Sequence, residues 1–442
     1  MTSERDDTVA PAAWPVTRVE AHSWSRSGHE VGSRRRLRAA SGPYEAAVPP
    51  FIAEQDVSLP AELIAASEDA SRELTRFDTE AGTLAAPFAS ILLRTESASS
   101  SEVENLTSSA KQVALAQIGD ETSENARLVV GNVAAMEAAI SLADHLDANA
   151  ILTMHRALLE KSNPDIVGRW RDEQVWIGGG SVSSHNVTFI PPHQDRVSAL
   201  MDDVMSFARR ADLPVMAQLA IAHAQFETIH PFPDGNGRTG RALVQAMLRA
   251  SGVTRNVTVP VSAGLLGDTE GYFRALTAYR QGDVRPIIEA MSEAAFAAIR
   301  NGRLLEKDIT EIAARWDSAV RARSHSSVHG LKNLLLRQPV VTVKLVAREL
   351  GVSEPAADSS VRKLVDAGVL TQATAGRRNR HWQAGEVLGA LDAFGARARR
   401  RRAGGRAGVG PDSEIAGRNA GGPSGEVALL SCGPPRGRGG RS

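Results

Sequence analysis

Residues His230 to Arg241 read HPFPDGNGRTGR and gather one imidazole, one carboxylate, three glycines and two guanidiniums. An imidazole can act as a base near neutrality. A carboxylate such as Asp234 is a hard oxygen ligand of the kind Mg²⁺ takes. Small glycines at a helix start leave free backbone N–H groups facing outward, and those bind anions. In a helix beginning near Asn236, Arg238 and Arg241 are i, i+3 neighbours. They repel one another, and both lie in the first turns, where the helix dipole disfavours cations. An anion between them removes both penalties, and paired guanidinium forks suit phosphate oxygens. Together these groups make a phosphate-transfer site that works mostly by positioning and charge stabilisation.

Two other readings of the glycines fit less well. Gly235, Gly237 and Gly240 satisfy G-x-G-x-x-G, but that fingerprint needs an apolar strand directly before it. Here a periodic helix and HPFPD come first, and no acidic strand end follows about twenty residues later. Gly235 and Gly240 have P-loop spacing, yet Arg241 and Ala242 stand where Lys and Ser/Thr belong. A plain turn between helices accounts for the glycines and Pro231 but leaves the paired arginines unexplained.

The site needs two helices that meet at this point. In LPVMAQLAIAHAQFETI, Val215, Leu219, Ala222, Phe226 and Ile229 keep one apolar stripe that stops at His230-Pro231. RALVQAMLRASG then reads as a helix closed by Gly252. Helical spacing recurs at Leu63, Ala66, Ala70 and Leu74, in LVVGNVAAMEAAISLADHL and ANAILTMHRALLEK, and from Val197 to Trp316. Two β-prone arms, Gln174–Ile177 and Asn186–Ile190, flank a Gly/Ser turn and end at Pro191-Pro192, which is a hairpin pattern.

The chain has 442 residues and a formal net charge of zero, so bulk charge gives no argument for a nucleic-acid or membrane surface. The single cysteine, Cys432, excludes a disulfide framework. The polar start MTSERDDTVA and the absence of a long apolar run lead to the expectation of a cytoplasmic protein without a membrane partner. The expected organisation is a disordered or loosely docked stretch over 1–43 and an N-terminal helical region over 44–130. A helical core over 131–300, a helix and linker over 301–330, a small module over 331–395 and a disordered Arg/Gly-rich tail over 396–442 follow.

HPFPDGNGRTGR resembles the signature of the Fic family, H-x-F-x-D/E-G-N-G-R-x-x-R, with every defining position filled. The likeness extends to VPPFIAEQDVSLPAEL, to GRWRDEQVWIGG with FIPP, and to GYFRALTAYRQGD. It implies a mainly α fold, a helical core with a β-hairpin flap. It also implies the family's commonest activity, transfer of AMP from ATP to a protein Ser, Thr or Tyr hydroxyl with release of pyrophosphate. On that resemblance His230 is the base and Asp234 holds Mg²⁺. Asn236 and the amides of Gly235, Gly237 and Gly240 bind the α-phosphate region, Thr239 belongs to the same ATP-binding run, and Arg238 and Arg241 take the departing phosphates. Phe232 is read as a core anchor. Tyr272 either lines the adenine pocket or is a buried core aromatic. The hairpin either pairs with an extended target segment or is a simple surface hairpin. Transfer of UMP or a phosphoryl group, removal of AMP, and a nucleotide-sensing DNA-binding regulator stay open as alternatives.

SSSEVEN, Ser99 to Asn105, reads in two ways. Ser101-x-x-Glu104 fits a capping box opening a helix. Ser100-x-x-x-Glu104-Asn105 resembles the family's inhibitory pattern S/T-x-x-x-E-G/N, which implies that Glu104 pairs with Arg241 in the γ-phosphate's place. Farther on, Val341 to Gln383 resembles a winged helix-turn-helix, with Gly351 turning between two short helices and Arg377, Arg378 and Arg380 at the wing. DNA is the obvious partner of such a fold, but Glu354 and Asp358 at the second helix repel phosphate, so a protein contact stands beside it. ATP, a protein target (the chain itself among the candidates) and a homodimer complete the expected partners.

Overall fold

A computed structural model describes residues 14–23, 43–83, 87–120, 123–178, 188–321, 323, 326–373 and 380–400. Strand β1 (Arg18–His22) pairs antiparallel with β2 (Tyr44–Val48), Arg18 opposite Val48. The helices α1 (Ala61–Gly82), α2 (Pro87–Val103), α3 (Ala110–Gln117), α4 (Glu124–Ser141) and α5 (Ala148–Leu159) follow. After the hairpin come α6 (Val197–Ala208), α7 (Val215–Ile229), α8 (Asn236–Ala250), α9 (Val261–Leu265), α10 (Thr269–Arg280) and α11 (Arg285–Ala319). The last part holds α12 (Ser327–Arg337), β3 (Val340–Val341), α13 (Val343–Leu350), α14 (Glu354–Asp366), β4 (Thr371–Gln372), β5 (Trp382–Gln383) and α15 (Gly385–Ala398). The fold is mainly helical, and among the described residues no helix is long and apolar enough to cross a membrane.

The centre of the molecule is α7. Every residue from Met216 to Ile229 is buried, as expected of a helix surrounded by others. Helix α8 packs against it, α11 covers it, and α2 and α4 flank α8. The turn from α7 to α8 is therefore framed by helices on several sides, and few conformations fit it.

Helix α2 is held differently from its neighbours. Its second half buries Thr95, Glu96, Ser97, Ser99, Ser100 and Ser101, a polar surface that gains little from leaving water. Hydrogen bonds fix it instead. Glu96 accepts from the Ser262 N–H at 2.9 Å and from its hydroxyl at 2.6 Å. Asn132 of α4 donates to Ser97 O at 2.8 Å and to Ser101 Oγ at 3.3 Å. Arg94 donates to Arg337 O at the end of α12. A slip of one residue would break these pairs, so the seam sets the register of α2.

Three sequence expectations change. Residues 14–22 are not loosely docked: Trp14 is buried beside Tyr279, with ring centroids 5.8 Å apart, and β1 is fully paired with β2. A five-residue strand whose partner lies beyond a long insertion carries too short a period to show in sequence. The boundary expected at residue 300 falls inside α11, which runs unbroken to Ala319. The tail does not begin at 396, because α15 continues to Ala398 and packs on α11, α2 and α3. There Arg397 bonds Asn301 and Asp308, and Arg399 pairs with Glu102 at the end of α2.

In the C-terminal module, Gly351 is left-handed (φ 63°) between α13 and α14, and β3, β5 and β4 form an antiparallel sheet in that order. The two helices and the strand pair expected from sequence are present. Arg377 and Arg378 lie outside the described residues, and Arg380 sits over the Trp382 ring at 5.5 Å. In the hairpin, Ile177 and Phe189 pair antiparallel, and Ala47 of β2 donates to Ile190 O at 3.0 Å, joining the hairpin to the β1–β2 pair. Its tip, 179–187, lies outside the described residues.

The polar seam gives a testable consequence. Asn132→Ala removes two donors to α2 and is expected to speed amide exchange across Ser97–Val103 by about tenfold, leaving exchange in α7 unchanged. Equal exchange in both proteins would show that the seam does not hold α2.

Candidate active site at the α7–α8 turn

His230 ends α7 in the left-handed region (φ 52°, ψ 63°), with its N–H on Phe226 O at 2.9 Å. A residue other than glycine in that region needs support from its surroundings. Asn236 supplies part of it: its side-chain amide accepts from the Phe232 N–H and donates to Phe232 O, both at 2.8 Å. Phe232 is fully buried and stacks on His155 at 3.7 Å, the core anchor expected. Gly235 opens α8 with φ 78°, a conformation in which a side chain would be strained. Burial, with Arg171 and Arg280 nearby, pulls the His230 imidazole down to about 3. It is therefore neutral, the form a base requires, and among the described residues its Nδ1 has no hydrogen-bond partner.

The anion that the arginines call for is present, and it is a side chain. Glu104 bridges both: Oε2 accepts from Arg238 Nε at 3.0 Å and Oε1 from Arg241 Nη2 at 2.8 Å. Arg241 also donates to Ser100 Oγ at 2.9 Å and Ser100 O at 2.7 Å. It thereby satisfies a carbonyl at the C-terminal end of α2, where a cation is favoured. Burial alone would raise the Glu104 pKa, but the two guanidiniums outweigh it and hold the carboxylate below its usual range. Gly237 makes room for this approach, since a Cβ there would lie 2.2 Å from Glu104 Oε1.

The capping-box reading of Ser101-x-x-Glu104 is overturned. Ser101 stands in the last turn of α2 and donates to Ser97 O, not to a following helix. Glu104 and Asn105 follow that end, and Asn105 closes it with φ 62°. The cap signal failed because the serines are buried by neighbouring helices, a contact that local spacing does not carry.

The other expected residues divide by helix face. Asp234 is about a third exposed in its side chain, and its Oδ1 accepts from the Gly235 N–H at 2.6 Å and from Arg238 Nη2 at 3.4 Å. Gly237, Arg238 and Arg241 surround Glu104. Thr239 and Gly240 face the other way: Thr239 is fully buried, and a Cβ on Gly240 would meet Glu227 and Phe226 of α7. The Asn236 side chain faces the loop rather than a ligand, and only its backbone is left for one. Tyr272 is buried, with its hydroxyl 2.7 Å from His223 Nε2, and burial raises its pKa.

Sequence reading missed three groups. Arg171 reaches the His230 carbonyl at 2.8 Å. Glu227 is buried, its Oε1 has no hydrogen bond among the described residues and lies 4.0 Å from His223 Nε2, and burial pushes it up to about 7 against the pull of Arg241. Arg280 lies over the Phe189 ring of the hairpin at 3.8 Å. All three sit in segments already quoted for other reasons, and a charge within an apolar run was an available signal for Glu227 alone.

The family model described as Fic/DOC family matches residues 145–248, and the one described as Fic/DOC family N-terminal matches residues 64–141. Protein adenylyltransferase fic-1 of Caenorhabditis elegans is 29% identical over 160 residues, 36% of this chain and 28% of that protein. Protein adenylyltransferase Fic of Drosophila willistoni is 30% identical over 146 residues, 32% of this chain and 26% of that protein. The chain thus spans little more than a quarter of the length of these curated relatives. The crystal structure of a Fic family protein from Desulfovibrio desulfuricans G20 aligns with 74% of this chain and 97% of that one, at 20% identity and a TM-score of 0.48. Residues 64–141 thus match the Fic/DOC N-terminal model and residues 145–248 the Fic/DOC model, in that order around the helices that build the turn.

Proposed function

We propose that the chain is a self-inhibited protein adenylyltransferase that moves AMP from ATP to a protein hydroxyl. The observation that carries this reading is the Glu104 bridge. Two guanidiniums at a glycine-lined helix start are held by a carboxylate in the place a polyphosphate would take. When Glu104 withdraws, the β- and γ-phosphates of ATP take over Arg238 and Arg241, and the free N–H groups at the start of α8 face the α-phosphate. The neutral His230 imidazole accepts the target hydroxyl proton as that oxygen bonds to the α-phosphorus. The bond from the α-phosphorus to the bridging oxygen breaks, and pyrophosphate leaves on the two arginines.

Asp234 fits Mg²⁺ as a single, partly exposed carboxylate beside the phosphates. Among the described residues no three His, Cys, Asp or Glu side chains converge, so phosphate oxygens and water would supply most of the ligands. Bound there, the ion would neutralise charge building on the departing pyrophosphate. The target segment pairs with the hairpin edge by backbone hydrogen bonds. The brake works by competition: Glu104 meets the arginines at high effective concentration, so nucleotide binds in a non-productive pose. The C-terminal module is proposed as a winged helix that contacts protein, since Asp358 on α14 is paired with Arg362 at 2.5 Å and leaves that helix little free positive charge.

Two outcomes test this reading. Glu104→Gly is expected to raise transfer at least about tenfold, with label kept from α-labelled ATP and none from γ-labelled ATP. Label kept from the γ position alone would make the chain a phosphoryl transferase, and none from either would favour a nucleotide sensor. In the same background His230→Ala is expected to lower transfer by roughly 100-fold or more while ATP binding measured by calorimetry stays intact. Undiminished transfer would remove His230 as the base.

A further inference from the structure

Arg171 lies beside His230, and the transfer steps above give it no part. It is only 3% exposed. Its guanidinium donates to four backbone carbonyls: Nε to His230 O at 2.8 Å, Nη1 to Glu173 O at 3.0 Å, and Nη2 to Pro192 O and to Ile229 O at 3.4 Å. Its own backbone N–H donates to Pro231 O at 2.9 Å. Among the described residues it forms no ion pair.

These carbonyls belong to two separate parts of the site. Glu173 precedes the first arm of the hairpin and Pro192 follows the second. Ile229, His230 and Pro231 are the turn that carries the base. Only arginine offers five N–H donors in one rigid fork, which a lysine ammonium cannot spread over four acceptors. A buried cation among carbonyls, with no carboxylate to neutralise it, is costly where packing alone is needed. It is placed beside a left-handed residue other than glycine, His230. The His230 N–H is fixed by Phe226 O and its carbonyl by Arg171, so the imidazole leaves the chain in one direction.

We propose that Arg171 is a positioning residue: it fastens both roots of the hairpin to the peptide of the base, and so sets where a hydroxyl presented on the hairpin meets the imidazole. The activity arm of its test rests on the AMP-transfer reading, and the structural arm does not. Groups that act on the His230 ring are Arg171, Arg280, Glu104 and the backbone of Glu227.

The experiment compares Arg171→Lys and Arg171→Met in the Glu104→Gly protein. Both are expected to lower kcat by roughly 100-fold, the cost of a small misplacement, with the KM for ATP held within about twofold. The His230 titration followed by NMR stays low in the Lys variant, which keeps the charge. It moves up a little in the Met variant, which loses one of the two neighbouring cations, while burial, the larger cause, keeps it below ordinary imidazole. Transfer unchanged in both, or a loss confined to the KM for ATP, overturns the proposal. If the Met variant does not fold, the Lys variant decides alone. If the Glu104→Gly parent transfers nothing, the AMP reading fails, and amide exchange in Arg171→Lys decides the proposal. Exchange rising together at Ile177, Thr188 and His230 supports the link, and a rise at only one end, or at neither, contradicts it.

Discussion

One carboxylate between two guanidiniums organises the site. Arg238 and Arg241 sit one turn apart at the start of α8, where both mutual repulsion and the helix dipole work against them. Glu104 resolves that conflict from just past the end of another helix, and it comes close because Gly237 has no side chain. The arrangement ties the end of α2 to the start of α8. Whatever displaces Glu104 has to supply at least as much negative charge in the same place, a requirement that a nucleotide polyphosphate meets.

The rest of the structure can be read as support for that contact. The polar seam of α2 fixes which residue follows its end, so that Glu104 rather than a neighbour reaches the arginines. The wholly buried α7 gives the turn a rigid base, and the Asn236–Phe232 bonds close the loop that holds His230. Arg399 of the C-terminal helix grips Glu102, two residues from Glu104, so the appended module bears on the same helix end.

The α7–α8 turn was legible because its information is local. The spacing within HPFPDGNGRTGR, the apolar stripe of α7 and the glycine that opens α8 all lie within a few turns of chain, and the structure places them as that spacing implies. The need for an anion between Arg238 and Arg241 was also readable. Its double use of Glu104 was not, because the contact spans 134 and 137 residues and depends on how α2 packs. The second half of α2 hid for a related reason: Thr95, Glu96 and serines fill its buried face, so the apolar spacing of Phe88, Ile91 and Leu92 does not continue, and Ser101 resembled a cap. The β1–β2 pair and the Arg171 fork escaped for the same cause. Their partners are backbone groups brought together only by the tertiary fold.

The most direct measurement is a crystal structure of the Glu104→Gly protein with Mg²⁺ and an ATP analogue that cannot be cleaved. The expected density places the terminal phosphates on Arg238 and Arg241, the α-phosphate against the amides that follow Gly235, and the ion at Asp234. Nucleotide bound away from the α7–α8 turn, with both arginines still paired to protein groups, would contradict the competition between Glu104 and polyphosphate.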